Sequence, residues 1–214
     1  MSAGTRPAAV LLLTALAAAP VSAAEPPLPE AVPCLPCHGR ENLANKPEVP
    51  SILGQDAKYL IHQIIAFQRD LCPTCQGFTR LDRRHPVMSE RSHKVDKKDA
   101  ETVAAYFRSQ ACVNAWELDG GATEPLAKPQ IANTCFLCHG EAGRSRHAFI
   151  PTLAGQRRNY LRVQLRAFRD TKWSDRTRPV ERYRVHNMMT RQGQRLNDAE
   201  IDGLAAYFSS QPCR

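Results

Sequence analysis

The sequence predicts an all-α protein built from two tandem helical domains. The main observation is an internal repeat: shifting the 214-residue chain by 101 positions brings residues of the same type into register. The matched residues include Cys34, Cys37, His38, His85, Met88 and Cys112, which fall on Cys135, Cys138, His139, His186, Met189 and Cys213. A second observation is that apolar residues follow helical spacing, and no alternating run is long enough to predict a strand. Together they indicate a duplicated helical domain.

Two helices are predicted in each domain from this spacing. In the first domain, residues 59–70 and 97–109 carry apolar side chains three or four positions apart. Their copies are residues 159–170 and a helix that follows Asn197. Asn197 with Glu200 three positions later is the pattern of a capping box, so we expect that helix to begin there.

The repeat also predicts the domain boundaries. Residues 25–118 form the first domain and residues 128–214 the second, and they are called here the first and second lobes. Residues 119–127 contain two glycines and a proline, a composition typical of a linker.

Residues 1–24 have the layout of a secretory signal peptide. Arg6 precedes an apolar stretch over residues 8–21, and small residues at 22–24 follow it. We expect cleavage after Ala23 or Ala24; the alternative is an uncleaved membrane anchor. Export places the mature chain in an oxidising compartment where disulfides persist. Although 29 Lys and Arg outnumber 21 Asp and Glu, export excludes nucleic acid and cytosolic partners.

Each lobe contains one Cys-x-x-Cys-His motif, the attachment sequence for a c-type haem. Two thiols three residues apart on one helical turn can both bond to the porphyrin edge, and the following histidine can ligate the iron. The thioether cysteines are therefore predicted to be Cys34, Cys37, Cys135 and Cys138, with His38 and His139 as iron ligands. A redox dithiol or a zinc fragment is the alternative for a single motif. Two motifs in register favour two covalently bound haem c groups, because zinc needs four closed ligands.

A methionine lies 50 residues after each of these histidines, at Met88 and Met189. A thioether opposite histidine closes the iron's sixth position and raises its potential, which suits electron transfer. Met188 adjoins Met189 but is out of register, so it is not predicted to be a ligand. His85 and His186, three residues before each methionine, are the alternative ligands and would give bis-histidine irons.

Pro50 and Pro151 lie 12 residues after His38 and His139. A carbonyl at this position can accept a hydrogen bond from the histidine Nδ1–H and fix the ring's tautomer. The alternative is that they are ordinary loop prolines. The polar residues Gln55, Tyr59 and Gln63, with their copies, are candidates to face a haem propionate; helix packing explains Tyr59 equally well.

The order of these motifs resembles the di-haem cytochrome c4 family, a tandem of class I cytochrome c domains. The resemblance covers nearly all of the mature chain: the motif from Cys34 to Gly39, the segment from Pro50 to Leu60, Met88, and the final helix ending Ala104–Phe107, each with its copy. It implies two-fold-like packing of cytochrome c-like lobes with the haem propionate edges facing each other. It also implies a periplasmic electron carrier of a respiratory or sulfur-oxidising chain.

The partners implied are a terminal oxidase or a periplasmic or membrane dehydrogenase, and the chain could be the dedicated electron acceptor of such a dehydrogenase. A di-haem redox enzyme is the alternative. It would need an open iron site, against which both methionines argue, although Cys72 or Cys75 could displace Met88.

Four cysteines depart from the family pattern: Cys72, Cys75, Cys112 and Cys213. An even number in an oxidising compartment predicts two disulfides. Because Cys112 and Cys213 are equivalent positions in the repeat, we expect them to pair across the lobes, with Cys72 bonded to Cys75. The alternative is a reactive Cys72–Cys75 dithiol, with Cys213 free or bonded to another chain.

The charge is concentrated in the C-terminal half. Residues 25–118 hold 12 basic and 12 acidic residues, whereas residues 119–214 hold 16 and 9. Arg158, Arg162, Arg166 and Arg169 fall at helical spacing and are predicted to form a cationic stripe. Such a stripe can steer an acidic redox partner or contact an anionic membrane. The alternative is a solvated helix face.

Overall fold

The computed structural model describes Met1 and residues 28–68, 81–119, 124–171 and 183–214. Residues 2–24 of the predicted signal peptide lie outside these ranges, as do Cys72, Cys75 and part of the predicted linker. Within the described ranges, no helix combines the length and apolarity needed to cross a membrane.

The tandem helical fold is confirmed, and most elements recur 101 residues later. The first part of the chain forms α1 Leu35–His38, α2 Arg40–Leu43, α3 Ala57–Gln68, β1 Leu81–Arg83, α4 Pro86–Ser92, α5 Lys97–Ser109 and α6 Ala115–Asp119. The second part forms α7 Ala132–His139, α8 Arg158–Asp170, β2 Arg184–His186, α9 Asn187–Gly193 and α10 Asp198–Ser210. Short 3-10 turns over Val32–Cys34 and Glu141–Gly143 flank the motif helices.

The last helix of each lobe begins at an N-cap that is visible in the sequence. Asn197 accepts a hydrogen bond from the backbone N–H of Glu200, and the Glu200 side chain accepts one from Asn197, which confirms the predicted capping box. In the first lobe Asp96 caps α5 by accepting from the N–H of Asp99. Each side chain satisfies a donor that the first helical turn leaves unpaired.

Each lobe has its own apolar core, formed where the long third helix meets the last one. In the first lobe the fully buried core residues include Leu43, Ala104 and Phe107. In the second they include Leu204 and Ala205. The motif helices pack against these cores, through Leu35 in the first lobe and Phe136 in the second.

One small sheet joins the lobes, an element that the all-α prediction leaves out. Strands β1 and β2 pair antiparallel, with Leu81 opposite His186 and Arg83 opposite Arg184. Each strand has three residues, too few for a recognisable alternating pattern. Because 83 and 184 are equivalent positions, a pseudo-two-fold axis passes between them.

Reciprocal hydrogen bonds beside this axis show that the lobe interface is isologous. The Gln55 side chain bonds to both the N–H and the carbonyl of Thr152, at 3.0 Å each. Its copy Gln156 bonds in the same way to Ser51, at 3.0 and 2.8 Å. Gln55 and Gln156 therefore join the lobes, and their amides reach the partner lobe's backbone.

The predicted cross-lobe disulfide is confirmed. Cys112 and Cys213 are bonded, with their Cα atoms 6.3 Å apart. Next to the bond, the Cys213 N–H donates to Asn114 and the Ala115 N–H donates to the carbonyl of Gly155. The start of α6, assigned from sequence to the first lobe, therefore lies against the second.

Candidate haem-binding sites

The two attachment motifs lie on motif helices of different length. In the second lobe Cys135, Cys138 and His139 all lie on α7, a helix of eight residues. In the first lobe Cys34 ends a 3-10 turn, and α1 has only four residues. Pro33 and Pro36 account for the break: proline suits a first helical turn but cannot donate within a continuous helix.

All four motif cysteines are half-buried and not disulfide-bonded. Burial raises the pKa of Cys34, as does the neighbouring Cys37 thiol, and burial also raises the pKa of Cys135. A redox-active dithiol has the opposite property, because its attacking cysteine needs a lowered pKa. The raised pKa values of Cys34 and Cys135 therefore argue against the redox-dithiol alternative.

Each motif histidine is buried and bonded to the predicted proline. His38 Nδ1 lies 3.1 Å from the Pro50 carbonyl oxygen, and His139 Nδ1 lies 2.9 Å from that of Pro151. With the proton on Nδ1, the ring donates to the carbonyl and leaves the Nε2 lone pair for a metal. Burial, with a smaller effect of Arg83, lowers the pKa of His38 to about 4, so this imidazole is neutral as a ligand must be.

The methionines occupy the same place in helices α4 and α9. Met88 and Met189 are half-buried, whereas Met188 is 58% exposed. Val87, the first-lobe equivalent of Met188, is also exposed. The residue before each in-register methionine thus faces outward in both lobes, which favours Met88 and Met189 as the ligands.

His85 and His186 have a role that the sequence did not indicate. Each is the N-cap of the helix that carries the methionine: His85 Nδ1 accepts from the Met88 N–H, and His186 Nδ1 accepts from the Met189 N–H, both at 3.3 Å. A histidine three residues before a methionine, repeated in both lobes, is the signal that could have predicted this cap. The cap explains the residues without bis-histidine ligation.

The donor sets fit haem c in both lobes. Each offers two free thiols three residues apart, one buried neutral imidazole with Nδ1 bonded, and one half-buried thioether on a capped helix. Haem c supplies a one-electron iron centre when bound. The chain's own residues orient each imidazole through its Nδ1 hydrogen bond and place each thioether on a capped helix.

Two arginines near these sites were missed by the sequence analysis. Arg83 and Arg184 lie on the lobe interface and donate to the side chains of Gln63, Gln164, Tyr59 and Tyr160. Their spacing of 101 residues in the repeat was the available signal.

Two of the four arginines in the predicted cationic stripe on α8 form ion pairs with carboxylates. This corrects the prediction that all four present free positive charge. Arg166 pairs with Asp198 and Asp202 at 3.3 and 3.7 Å, and Arg169 pairs with Asp170 and Asp198 at 2.8 Å each. The reason is packing: α8 lies along α10, whose first turns carry Asp198 and Asp202. Arg158 remains exposed.

Comparison with known proteins gives the family. Residues 127–212 match the family model described as Cytochrome c. Cytochrome c-554(548) of Halomonas halodenitrificans is 35% identical over 90 residues, which are 42% of this chain and 99% of that protein. Cytochrome c-552 of Acidithiobacillus ferridurans is 29% identical across 94% of this chain and 84% of its own length.

Two further similarities span most of the chain. The thiosulfate dehydrogenase electron acceptor of Stutzerimonas stutzeri is 26% identical over 85% of this chain and 80% of its own length. The solved structure of cytochrome c4 from Acidithiobacillus ferrooxidans has the same fold, with a TM-score of 0.60 and 23% identity, covering 83% of this chain and 98% of that one. The chain belongs to the cytochrome c family, with the tandem di-haem organisation of the cytochromes c4, and is an electron-transfer protein that binds haem c covalently.

Proposed function

We propose that this protein is a periplasmic electron carrier that accepts electrons from a dehydrogenase of a sulfur compound and delivers them to a further redox protein, such as a terminal oxidase. The observation that carries the proposal is the similarity, over 85% of the chain, to a thiosulfate dehydrogenase electron acceptor. A second protein of that name, from Thiomonas intermedia, is 27% identical over 91% of the chain.

The donor sets favour a carrier over a di-haem enzyme. An enzyme that transforms a substrate at the iron needs an open or exchangeable position. Here each lobe offers both an imidazole and a thioether, and the thioether lies on a helix held by a histidine cap. Closed iron sites are suited to passing single electrons and unsuited to substrate binding.

A face of the second lobe is suited to docking an acidic partner. Leu137, between the two motif cysteines, is 82% exposed, and Arg144, Arg146 and His147 lie beside it. Arg146 and His147 are exposed. Arg144 and Arg146 outnumber the one carboxylate among the described residues of this face, the exposed Glu141. An apolar contact next to a motif cysteine, with net positive charge beside it, combines close approach with electrostatic steering. The equivalent of Arg146 in the first lobe is the neutral, exposed Asn45.

The proposed periplasmic location rests on residues 1–24 and is supported by the Cys112–Cys213 bond, because disulfides persist in that compartment. Mass spectrometry of the protein from a periplasmic extract tests it. A mass that begins near Glu25 and includes two haems is expected, and a full-length mass in the membrane fraction would refute it.

The partner is tested by mixing the oxidised protein with a thiosulfate dehydrogenase and thiosulfate, and following the rise of the reduced haem absorption band. Arg146→Glu is expected to slow reduction at low salt about tenfold or more, and the matched control Asn45→Glu is expected to have little effect. Added salt should reduce the difference, because exposed charges are screened beyond about 8–10 Å at physiological ionic strength. Equal slowing by both variants, or no reduction of the wild type, contradicts the proposal.

A further inference from the structure

Arg83 and Arg184 bring two positive charges together on the pseudo-two-fold axis. They are opposite each other in the β1–β2 ladder. Each guanidinium also stacks on a phenylalanine of its own lobe: the Arg83 Cζ lies 4.5 Å from the centroid of Phe67, and the Arg184 Cζ lies 4.3 Å from that of Phe168. The two side chains are thus held in equivalent, fixed orientations by both lobes.

Every described hydrogen-bond acceptor of this pair is neutral. Arg83 donates to Gln63 at 2.9 Å, Tyr160 at 2.9 Å and Gln164 at 3.2 Å. Arg184 donates to Gln164 at 2.5 Å, Gln63 at 3.4 Å and Tyr59 at 3.5 Å. Among the described residues, no carboxylate forms an ion pair with either guanidinium.

Arg184 also has an unused donor inside the interface. Its side chain is only 7% exposed, and within the described part of the chain its Nε has no hydrogen-bond partner. Burial and the adjacent Arg83 lower the pKa of Arg184, which reflects the cost of holding this charge unneutralised. A buried charge is stable in proteins when an opposite charge and full hydrogen bonding accompany it. Arg83 and Arg184 therefore have the chemistry of an anion-binding site.

We propose that Arg83 and Arg184 form one shared cationic site that binds propionate carboxylates of both haems and raises both reduction potentials together. Carboxylate is the chemistry that a guanidinium fork recognises, through two parallel hydrogen bonds. The pair lies between the lobes, and each arginine belongs to the strand that leads into a methionine-bearing helix. This inference rests on haem binding and does not depend on which protein donates the electrons.

A shared site has a consequence that two separate sites lack. A nearby positive charge disfavours the oxidised iron, which carries one more positive charge than the reduced iron, and so raises the potential. Because each guanidinium touches side chains from both lobes, removing either charge should lower the potentials of both haems. Two independent arginine–propionate contacts would each shift the haem of one lobe far more than the other.

The test is a spectroelectrochemical titration of the holoprotein, fitted as two one-electron components. Arg83→Gln and Arg184→Gln are each expected to lower both components by tenfold or more in the reduction equilibrium constant, which is 59 mV for a one-electron couple. Arg184→Lys keeps the charge and should restore most of the shift. Arg108→Gln is the matched control, because this exposed arginine of α5 pairs with Asp56 outside the site.

The melting temperature, measured on the same samples, separates electrostatics from lobe packing. If the pair only joins the lobes, the glutamine and lysine variants lose stability alike while the potentials stay unchanged, and the proposal is wrong. A shift confined to one component also overturns it. Wild-type potentials that change with added phosphate would assign the site to a free anion instead of propionate. Should Arg184→Gln fail to fold, Arg83→Gln and Arg184→Lys carry the same test.

Discussion

The residue before α3 in the first lobe is Asp56, and the equivalent residue before α8 in the second lobe is Arg157. Asp56 caps α3 by accepting from the Tyr59 N–H at 3.0 Å, and it pairs with Arg108 at the surface. Arg157 is fully buried, and its guanidinium donates to the carbonyl of Leu43 in the first lobe. The Gln55 and Gln156 hydrogen bonds beside the pseudo-two-fold axis are the same in both lobes. The equivalent residues Asp56 and Arg157, in contrast, have different roles in the two lobes.

The motif helices differ in the same way. Gly39 follows His38 with an extended backbone at φ −65°, whereas Gly140 follows His139 at φ 74°. A Cβ on Gly140 would lie 2.2 Å from the Arg144 carbonyl oxygen, so only glycine fits there. The second lobe thus has a complete motif helix closed by a glycine turn, while the first has a four-residue helix. We infer that the first lobe depends more on its haem for local order.

Removing one attachment motif at a time is expected to give the largest effect. Cys34→Ser with Cys37→Ser, or Cys135→Ser with Cys138→Ser, should each halve the covalently bound haem, measured by the pyridine haemochrome. Far-ultraviolet circular dichroism should show a greater loss of helix for the first-lobe variant, because α1 has little hydrogen bonding of its own. Equal losses in the two variants would show that the motif helices are equally dependent on haem.

Replacing the methionines tests whether the two lobes use the same ligand position. Met88→Ala and Met189→Ala should each open one iron to carbon monoxide and lower the potential of that haem, because the thioether is lost. Met188→Ala is the control within the second lobe, and it should change neither property. Carbon monoxide binding by the Met188 variant, with none by the Met189 variant, would show that the ligand is out of register.

The cross-lobe disulfide joins equivalent positions of the two lobes, so breaking it changes both lobes in the same way. Cys112→Ser with Cys213→Ser should lower the free energy of unfolding by about 2–4 kcal/mol, chiefly by freeing the unfolded chain. Urea unfolding followed by circular dichroism measures the change, with dithiothreitol-treated wild type as the reference. If the double variant and the dithiothreitol-treated wild type both unfold at the same urea concentration as the untreated wild type, the bond makes no contribution to stability.

Features set by local sequence or by equivalent positions of the repeat were predictable, whereas the hydrogen bonds and strand pairing of the lobe interface were not. The helices at 97–109 and after Asn197, and the pairing of Cys112 with Cys213, followed from spacing, capping and the repeat. The β1–β2 pairing and the Gln55–Thr152 bonds join residues from different lobes. No pattern within one lobe encodes them, because each requires the other lobe's surface.

The roles of single residues were predictable only where the chemistry is specific. Pro50 was a candidate partner of His38 because ligating histidines need a fixed tautomer, and the structure shows the contact. From the sequence, His85 was an alternative iron ligand, and its cap on α4 was recognised only in the structure, although the histidine recurs at the same place in both lobes. The number of unpaired arginines on α8 was overestimated, because sequence spacing does not reveal which carboxylates of α10 lie beside them.

The smallest expected effect concerns the first residue of the last helix, which is Lys97 in the first lobe and Asp198 in the second. Asp198 is exposed, and Arg169 lowers its pKa through a hydrogen bond at 2.8 Å and through its charge. Because the pKa of Asp198 is lower in the folded state, its ion pair with Arg169 stabilises the fold at pH values above the ordinary carboxylate pKa. This stabilisation is lost as the pH falls through the folded-state pKa. Asp198→Asn should therefore lower the melting temperature slightly at pH 7, and this deficit should shrink as the pH falls below the ordinary carboxylate range. Lys97→Asn removes a positive charge from a helix N-terminus, so it should leave stability unchanged or raise it. Melting curves at neutral and acidic pH decide the comparison: a deficit for the Asp198 variant that persists in acid would mean that the carboxylate's charge is not the cause.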